Sequence, residues 1–148
     1  MMRLLALMLL VAGLAACGGS STKPLYESGD WRVVVANGKA TAQHRIDGAW
    51  RSDTSGAVHV SILGPRPGTT APSTPQVAAE LTAPTALVES GLWVDGVALL
   101  QKGGSLSPRR ETSYGAPEAP LAGGTHTAVA YARTATHATA VAWTFRVR

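Results

Sequence analysis

The chain has 148 residues, a formal charge of +4, 45% hydrophobic residues and one cysteine. A single cysteine excludes an intrachain disulfide framework, so the fold must stand on its own core. The basic residues, mostly arginine, alternate with acids (Arg45/Asp47, Arg51/Asp53, Arg109-Arg110/Glu111), which is the pattern of a solvated surface and argues against nucleic-acid binding.

Met1-Met2-Arg3 is a short positive start to the apolar run Leu4–Ala16. At 13 residues that run suits the core of an export signal but falls short of the roughly 20 residues a membrane-spanning helix needs. Leu14-Ala15-Ala16-Cys17 resembles the lipobox of bacterial lipoproteins at all four positions. That resemblance implies cleavage before Cys17, acylation of its thiol by a diacylglycerol, and a further acyl chain such as palmitate on the new amine. Each buried methylene contributes about 0.8 kcal/mol, and two or three chains anchor a protein without a transmembrane helix. Gly18–Pro24 reads as a flexible Gly/Ser tether. The expected organisation is a signal peptide over 1–16, a lipidated tether over 17–25, a β-hairpin segment over 26–56 and a β-sandwich over 57–148.

Beyond the tether, Thr, Ala, Val and Gly are abundant while Lys and Glu are scarce, which favours strands over helices. Trp31–Ala36 and Lys39–Ile46 are strand-like and flank Asn37-Gly38, whose residue types suit the positive φ angles of a type I′ turn. Asp47-Gly48 supplies a second turn, and Trp50–Gly56 reads as a polar loop. Val58, Val60 and Ile62 alternate with His59, Ser61 and Leu63, as in a half-buried strand. Gly64–Pro75 is too rich in proline for an interior strand and reads as a surface crossing. Gln76–Thr82 is a further strand, and Pro84-Thr85 stops any helical turn that Pro75–Leu87 begins.

Leu92-Trp93-Val94 and Val97–Leu100 flank Asp95-Gly96 as another hairpin. Gly103–Pro108 reads as a loop, Arg109–Tyr114 as an edge strand and Ala116–Gly124 as a Pro/Gly connection. Thr125–Arg133 and His137–Arg148 are the longest strands. In the latter, Val141, Trp143, Phe145 and Val147 share one face, a period of two that predicts one buried side. Eight or nine strands with regular turns predict an all-β, antiparallel sandwich.

Four segments resemble bacterial immunoglobulin-like domains. They are His59–Gly68, an alternating strand running into a Pro-containing Gly turn; the hairpin Leu92–Val97; Pro120–Thr127, leading into a penultimate strand; and the terminal strand Trp143–Val147. The resemblance spans Ala57–Arg148. It implies an immunoglobulin-like sandwich in which His126 takes the place of a corner tyrosine, with an inward imidazole bonded to nearby backbone. Ala128 stands where antibody-type domains carry a disulfide cysteine. The hairpin over 26–56 lies outside the match, and either joins the sandwich or covers one edge.

No catalytic, cofactor-binding or metal-ligating constellation is legible. His44, His59, His126 and His137 show neither i, i+4 helical spacing nor a His-x-His pair, and no Gly-x-Ser-x-Gly elbow or phosphate-cradling loop occurs. Asp47 and Asp95 read as turn residues. His126 and His137 fall on adjacent predicted strands, so a metal pair requires that they converge. Trp31, Trp50 and Trp93 either fill the core or form a glycan platform. The expected protein is therefore a non-enzymatic, lipid-anchored protein of the cell envelope, facing the periplasm or cell surface. Its partners are the membrane, through acyl chains on Cys17, and an envelope protein or glycan. A carbohydrate-binding module and an inhibitor or accessory lipoprotein acting through a loop are the alternatives.

Overall fold

The computed structural model describes residues 23–104 and 109–148. The expected export signal, the expected lipobox with Cys17, most of the expected tether and Ser105–Pro108 of the expected Gly103–Pro108 loop lie outside the described residues. Among those residues every regular element is a strand, and no helix is long and apolar enough to cross a membrane.

The chain begins with a four-stranded antiparallel meander of β1 (Tyr26–Ser28), β2 (Trp31–Ala36), β3 (Lys39–Ile46) and β4 (Ala49–Ser52). Its two tight turns follow from residue type. Asn37 and Gly38 sit at φ 52° and 73°, and Asp47 and Gly48 at 51° and 77°, the left-handed pair a type I′ turn requires. The turns set the register, pairing Ala36 with Lys39 and Ile46 with Ala49. The loop expected over Trp50–Gly56 is therefore a strand in its first part. Polar composition misleads here because β4 is an edge strand with one face in solvent. On that face Trp50 lies opposite Arg45, and the guanidinium of Arg32 stands 4.4 Å from its ring centroid.

The remainder forms two sheets. One holds β5 (His59–Gly64), β7 (Val77–Thr82) and β10 (Arg110–Gly115), with β7 central. The other runs in the order β6 (Thr70–Ala71), β12 (Ala138–Val147), β11 (Gly124–Arg133), β8 (Glu89–Val94) and β9 (Val97–Gly103). This is an antiparallel immunoglobulin-like sandwich. Strands one, two and five of the sandwich proper face strands three, four, six and seven. The expected Gly64–Pro75 crossing carries one addition: β6 pairs in parallel with the end of β12, Thr70 against Arg146 and Ala71 against Val147. At the edge of the sheet a two-residue strand is compatible with the prolines around it.

The sandwich core lies between these two sheets and contains Val77, Leu81, Leu87, Leu92, Trp143 and Phe145. A second core lies on the other side of the five-stranded sheet, where Trp31, Val33 and Ala42 of the meander pack on Trp93, Val129, Tyr131 and Ala138. The molecule thus has three layers, and the five-stranded sheet is covered on both sides. The single buried face predicted for β12 is corrected accordingly. Trp143, Phe145 and Val147 face the sandwich, while Ala138, Ala140 and Ala142 lie under the meander. Alanines on both surfaces, with Ala40 and Ala42 opposite, let β3 approach closely. All six residues of β8 are buried for the same reason. A side chain such as Trp93 or Tyr131, removed from water on that second face, contributes about 1.5–3 kcal/mol.

Candidate functional site

A concavity lies at the tip of the β8–β9 hairpin. Asp95 and Gly96, at φ 49° and 81°, turn that hairpin. Facing it is the connection from β10 to β11, whose prolines Pro117 and Pro120 keep it out of either sheet. Between the two is a cleft of about 610 Å³, lined by Val97, Leu99, Pro117, Glu118, Leu121 and His126 among others. At the end of β10, Gly115 packs closely on β9: a Cβ there would come within 2.9 Å of the Leu99 Cβ.

His126 ties the two walls together. It is 9% exposed, near the start of β11. Its Nδ1 lies 2.7 Å from Asp95 Oδ2 on the hairpin, and its Nε2 lies 2.7 Å from the carbonyl oxygen of Ala122 on the connection. Asp95 Oδ1 in turn accepts the Thr127 amide at 2.9 Å. Two acceptors around one imidazole favour the doubly protonated ring. The hydrogen bond to Asp95, then that to the Ala122 carbonyl, raise the histidine pKa against the opposing effect of burial. Both ring nitrogens are engaged by these internal partners and neither is left facing the cleft unpartnered. The corner role implied for His126 is realised in geometry, and the turn residue Asp95 has a second role that its place in the hairpin conceals.

His137 is far from His126. Since β11 and β12 pair His126 with Phe145 and Arg133 with Ala138, the two histidines stand at opposite ends of the sheet, about 27 Å apart at 3.4 Å per residue over the eight residues from 137 to 145. His137 Nδ1 instead lies 3.4 Å from Asp53 Oδ2. Burial pushes the Asp53 pKa up, but hydrogen bonds from Ser55 and the Ala138 amide outweigh it, and the net shift is downward. His44 stacks flat on Trp31 at 4.0 Å, and His59 is exposed on β5. Among the described residues no three His, Cys, Asp or Glu side chains converge.

The tryptophans form no common platform. Trp31 and Trp93 are buried between the meander and the five-stranded sheet, and half-buried Trp50 is covered by Arg32.

Glu89 was not legible in the sequence as a special residue. It is buried at 4% exposure, where it accepts hydrogen bonds from Tyr26, Tyr131 and Arg133. Burial, then the hydrogen bond to Glu89, raise the Tyr26 pKa, and burial, then the charge of Glu89, raise that of Tyr131. Every buried side-chain polar atom among the described residues has a partner. This cluster therefore reads as a clamp holding β1 onto β8 and β11.

No family model matches the chain, and no curated protein matches it. Among the solved structures that resemble parts of the fold are the following two. A lytic polysaccharide monooxygenase from Jonesia denitrificans, studied by neutron crystallography, is 25% identical with a TM-score of 0.41; the match covers 57% of this chain and 60% of that one. The CARDB domain of the PF1109 protein from Pyrococcus furiosus, solved in complex with di-metal ions, is 10% identical with a TM-score of 0.39; the match covers 61% of this chain and 91% of that one. Both likenesses are partial and stop at the general arrangement of strands.

Proposed function

We propose that this chain is a bacterial envelope lipoprotein that presents its β-sandwich as a non-catalytic binding module for another protein. Acyl chains on Cys17 hold it to the membrane, and the domain faces the periplasm or the cell surface. The lipobox residues Leu14-Ala15-Ala16-Cys17 support the anchor, as does the absence of any second cysteine to pair with Cys17. The observation that carries binding is the cleft between the β8–β9 hairpin and the 116–122 connection, an apolar concavity with few polar groups in the size range of ligand sites. A non-catalytic role is supported by the way the most site-like polar groups, His126 and Glu89, are already committed to internal partners.

The anchor is tested by growing cells with a clickable palmitate analogue and fractionating their envelopes in high salt. The parent protein takes up label and stays with the membrane, while Cys17→Ser takes up none and is released. A variant that is labelled, or that resists salt extraction as the parent does, overturns the anchor.

A further inference from the structure

We propose that the segment 69–74 is an O-glycosylation site that carries one hexose each on Thr70 and Thr74. The proposal rests on the export part of the reading above, because an exported chain meets lipid-linked sugar donors at the membrane it crosses. It needs neither the cleft nor the acyl anchor.

The composition supplies the chemistry. Four of the six residues 69–74 carry a hydroxyl, Pro72 and Pro75 are set among them, and no charged residue stands between Arg66 and Glu80. Exported stretches rich in Ser, Thr and Pro are a recurrent setting for O-linked sugars. The backbone suits a modifying enzyme as well. Thr70 and Ala71 are extended, paired in parallel with Arg146 and Val147. Thr74 precedes Pro75, whose ring disfavours the helical region for the residue before it. An extended segment offers its side chains one by one to an enzyme groove.

Placement in the fold selects among the four hydroxyls. Ala71 and Pro75 are buried and pin the segment to the sandwich, while Thr69, Thr70 and Thr74 are exposed and Ser73 is half-buried. The Thr69 hydroxyl donates to the Arg66 carbonyl at 2.7 Å, a bond that a sugar on that oxygen removes. Ser73 is held down at its carbonyl, which accepts the Leu121 amide at 2.7 Å. The Thr70 and Thr74 hydroxyls make no hydrogen bond among the described residues, so a sugar on either displaces nothing, whether it is added before or after folding. In the transfer, the threonine Oγ1 attacks the anomeric carbon of a polyprenyl-phosphate-linked hexose. A bond forms between that carbon and Oγ1, the bond from the carbon to the phosphate oxygen breaks, and the hydroxyl proton passes to a base of the transferase. Donor and transferase are both supplied by the cell.

The test is intact-mass spectrometry of the full chain isolated from the envelopes of cells that make it natively. Electron-transfer fragmentation of the peptide spanning these residues then locates any added mass. The parent carries increments of one and two hexoses, placed on Thr70 and Thr74. Thr70→Ala and Thr74→Ala each lose one increment, and Thr70→Ser and Thr74→Ser keep both. Thr69→Ala leaves the pattern unchanged. A parent with no hexose increment overturns the proposal, as do sugars confined to other residues or phosphate increments in place of hexose. Uptake of the palmitate analogue is read on the same material. Label without sugar sinks glycosylation and leaves export and anchor standing, whereas sugar without label supports glycosylation and sinks the anchor alone.

Discussion

Gly91→Ala is the sharpest probe of the three-layer arrangement. Gly91 lies in the middle of β8 and is not among the positive-φ residues, so its backbone does not call for glycine. Its surroundings do. A Cβ at this position would lie 2.2 Å from Cη2 and 2.6 Å from Cζ3 of Trp93, against the 3.5–4.0 Å at which carbon atoms rest. The indole lies folded over Gly91 on the side covered by the meander. It is held there by Tyr26, whose ring is 5.5 Å away between centroids, and by Val129 and Tyr131 in the same cluster. The indole is 2% exposed, so it cannot swing into solvent without displacing these neighbours.

Overpacking of this kind costs about 1–3 kcal/mol and more where nothing yields, so about 3 kcal/mol is expected, or a fall in Tm of roughly 6–12 °C. Trp93→Ala alone leaves a cavity and costs about 3–5 kcal/mol. In that background the added methyl meets no ring. Gly91→Ala then becomes neutral, or stabilises by up to about 1 kcal/mol through the unfolded chain. Urea unfolding followed by far-ultraviolet circular dichroism on all four proteins gives the cycle, with Trp93→Leu as a gentler second background. The coupling should be at least about 2 kcal/mol. If Gly91→Ala is within about 0.5 kcal/mol of the parent, or costs the same with and without the indole, the meander does not hold Trp93 against the sheet as described.

Other expectations follow from the buried polar groups. Glu89→Ala leaves Arg133 without its carboxylate and should cost about 3 kcal/mol, with Glu89→Ala/Arg133→Ala costing less than the sum of the single changes in the same urea assay. The raised pKa of His126 means that the folded state holds this proton more tightly than the unfolded one. Its stabilisation is complete below about pH 6.5, the unfolded value, and is lost as pH rises through the folded value, so urea midpoints should decline across that window in the parent and stay flatter in His126→Ala. The depressed pKa of Asp53 has the opposite sign. Its contribution is present above the unfolded value and fades as pH falls through the folded one, so Asp53→Asn should be less stable than the parent by about 1 kcal/mol at neutral pH and equal to it in strong acid. A gap that persists unchanged in acid would refute that assignment.

Turns were the most legible part of the fold. Asn37-Gly38, Asp47-Gly48 and Asp95-Gly96 each announce a hairpin because the left-handed pair of φ angles restricts residue choice locally. The alternation of Trp143, Phe145 and Val147 marks the sandwich face of β12 equally well. The other face of β12 was not legible, because Ala138, Ala140 and Ala142 have the same composition whether they meet solvent or a close neighbour. β4 was missed because an edge strand with a wet face looks like a loop. At the candidate site, His126 stood out through the immunoglobulin-like resemblance. Asp95 was absorbed into its turn, and Glu89 gave no local sign, since its partners lie up to 63 residues away.

Local chemistry alone therefore determined the β character, the hairpins with their register and the sandwich face of the last strand. These depend on backbone preferences and short-period patterns that act within a few residues. The tertiary structure decided how the layers stack. It laid the meander over the five-stranded sheet, turned Trp93 and Glu89 into interior residues, placed Gly91 under the Trp93 indole and set the β8–β9 hairpin beside a cleft. Those features arise from contacts between segments distant in sequence, and each side chain carries only half of the information they require.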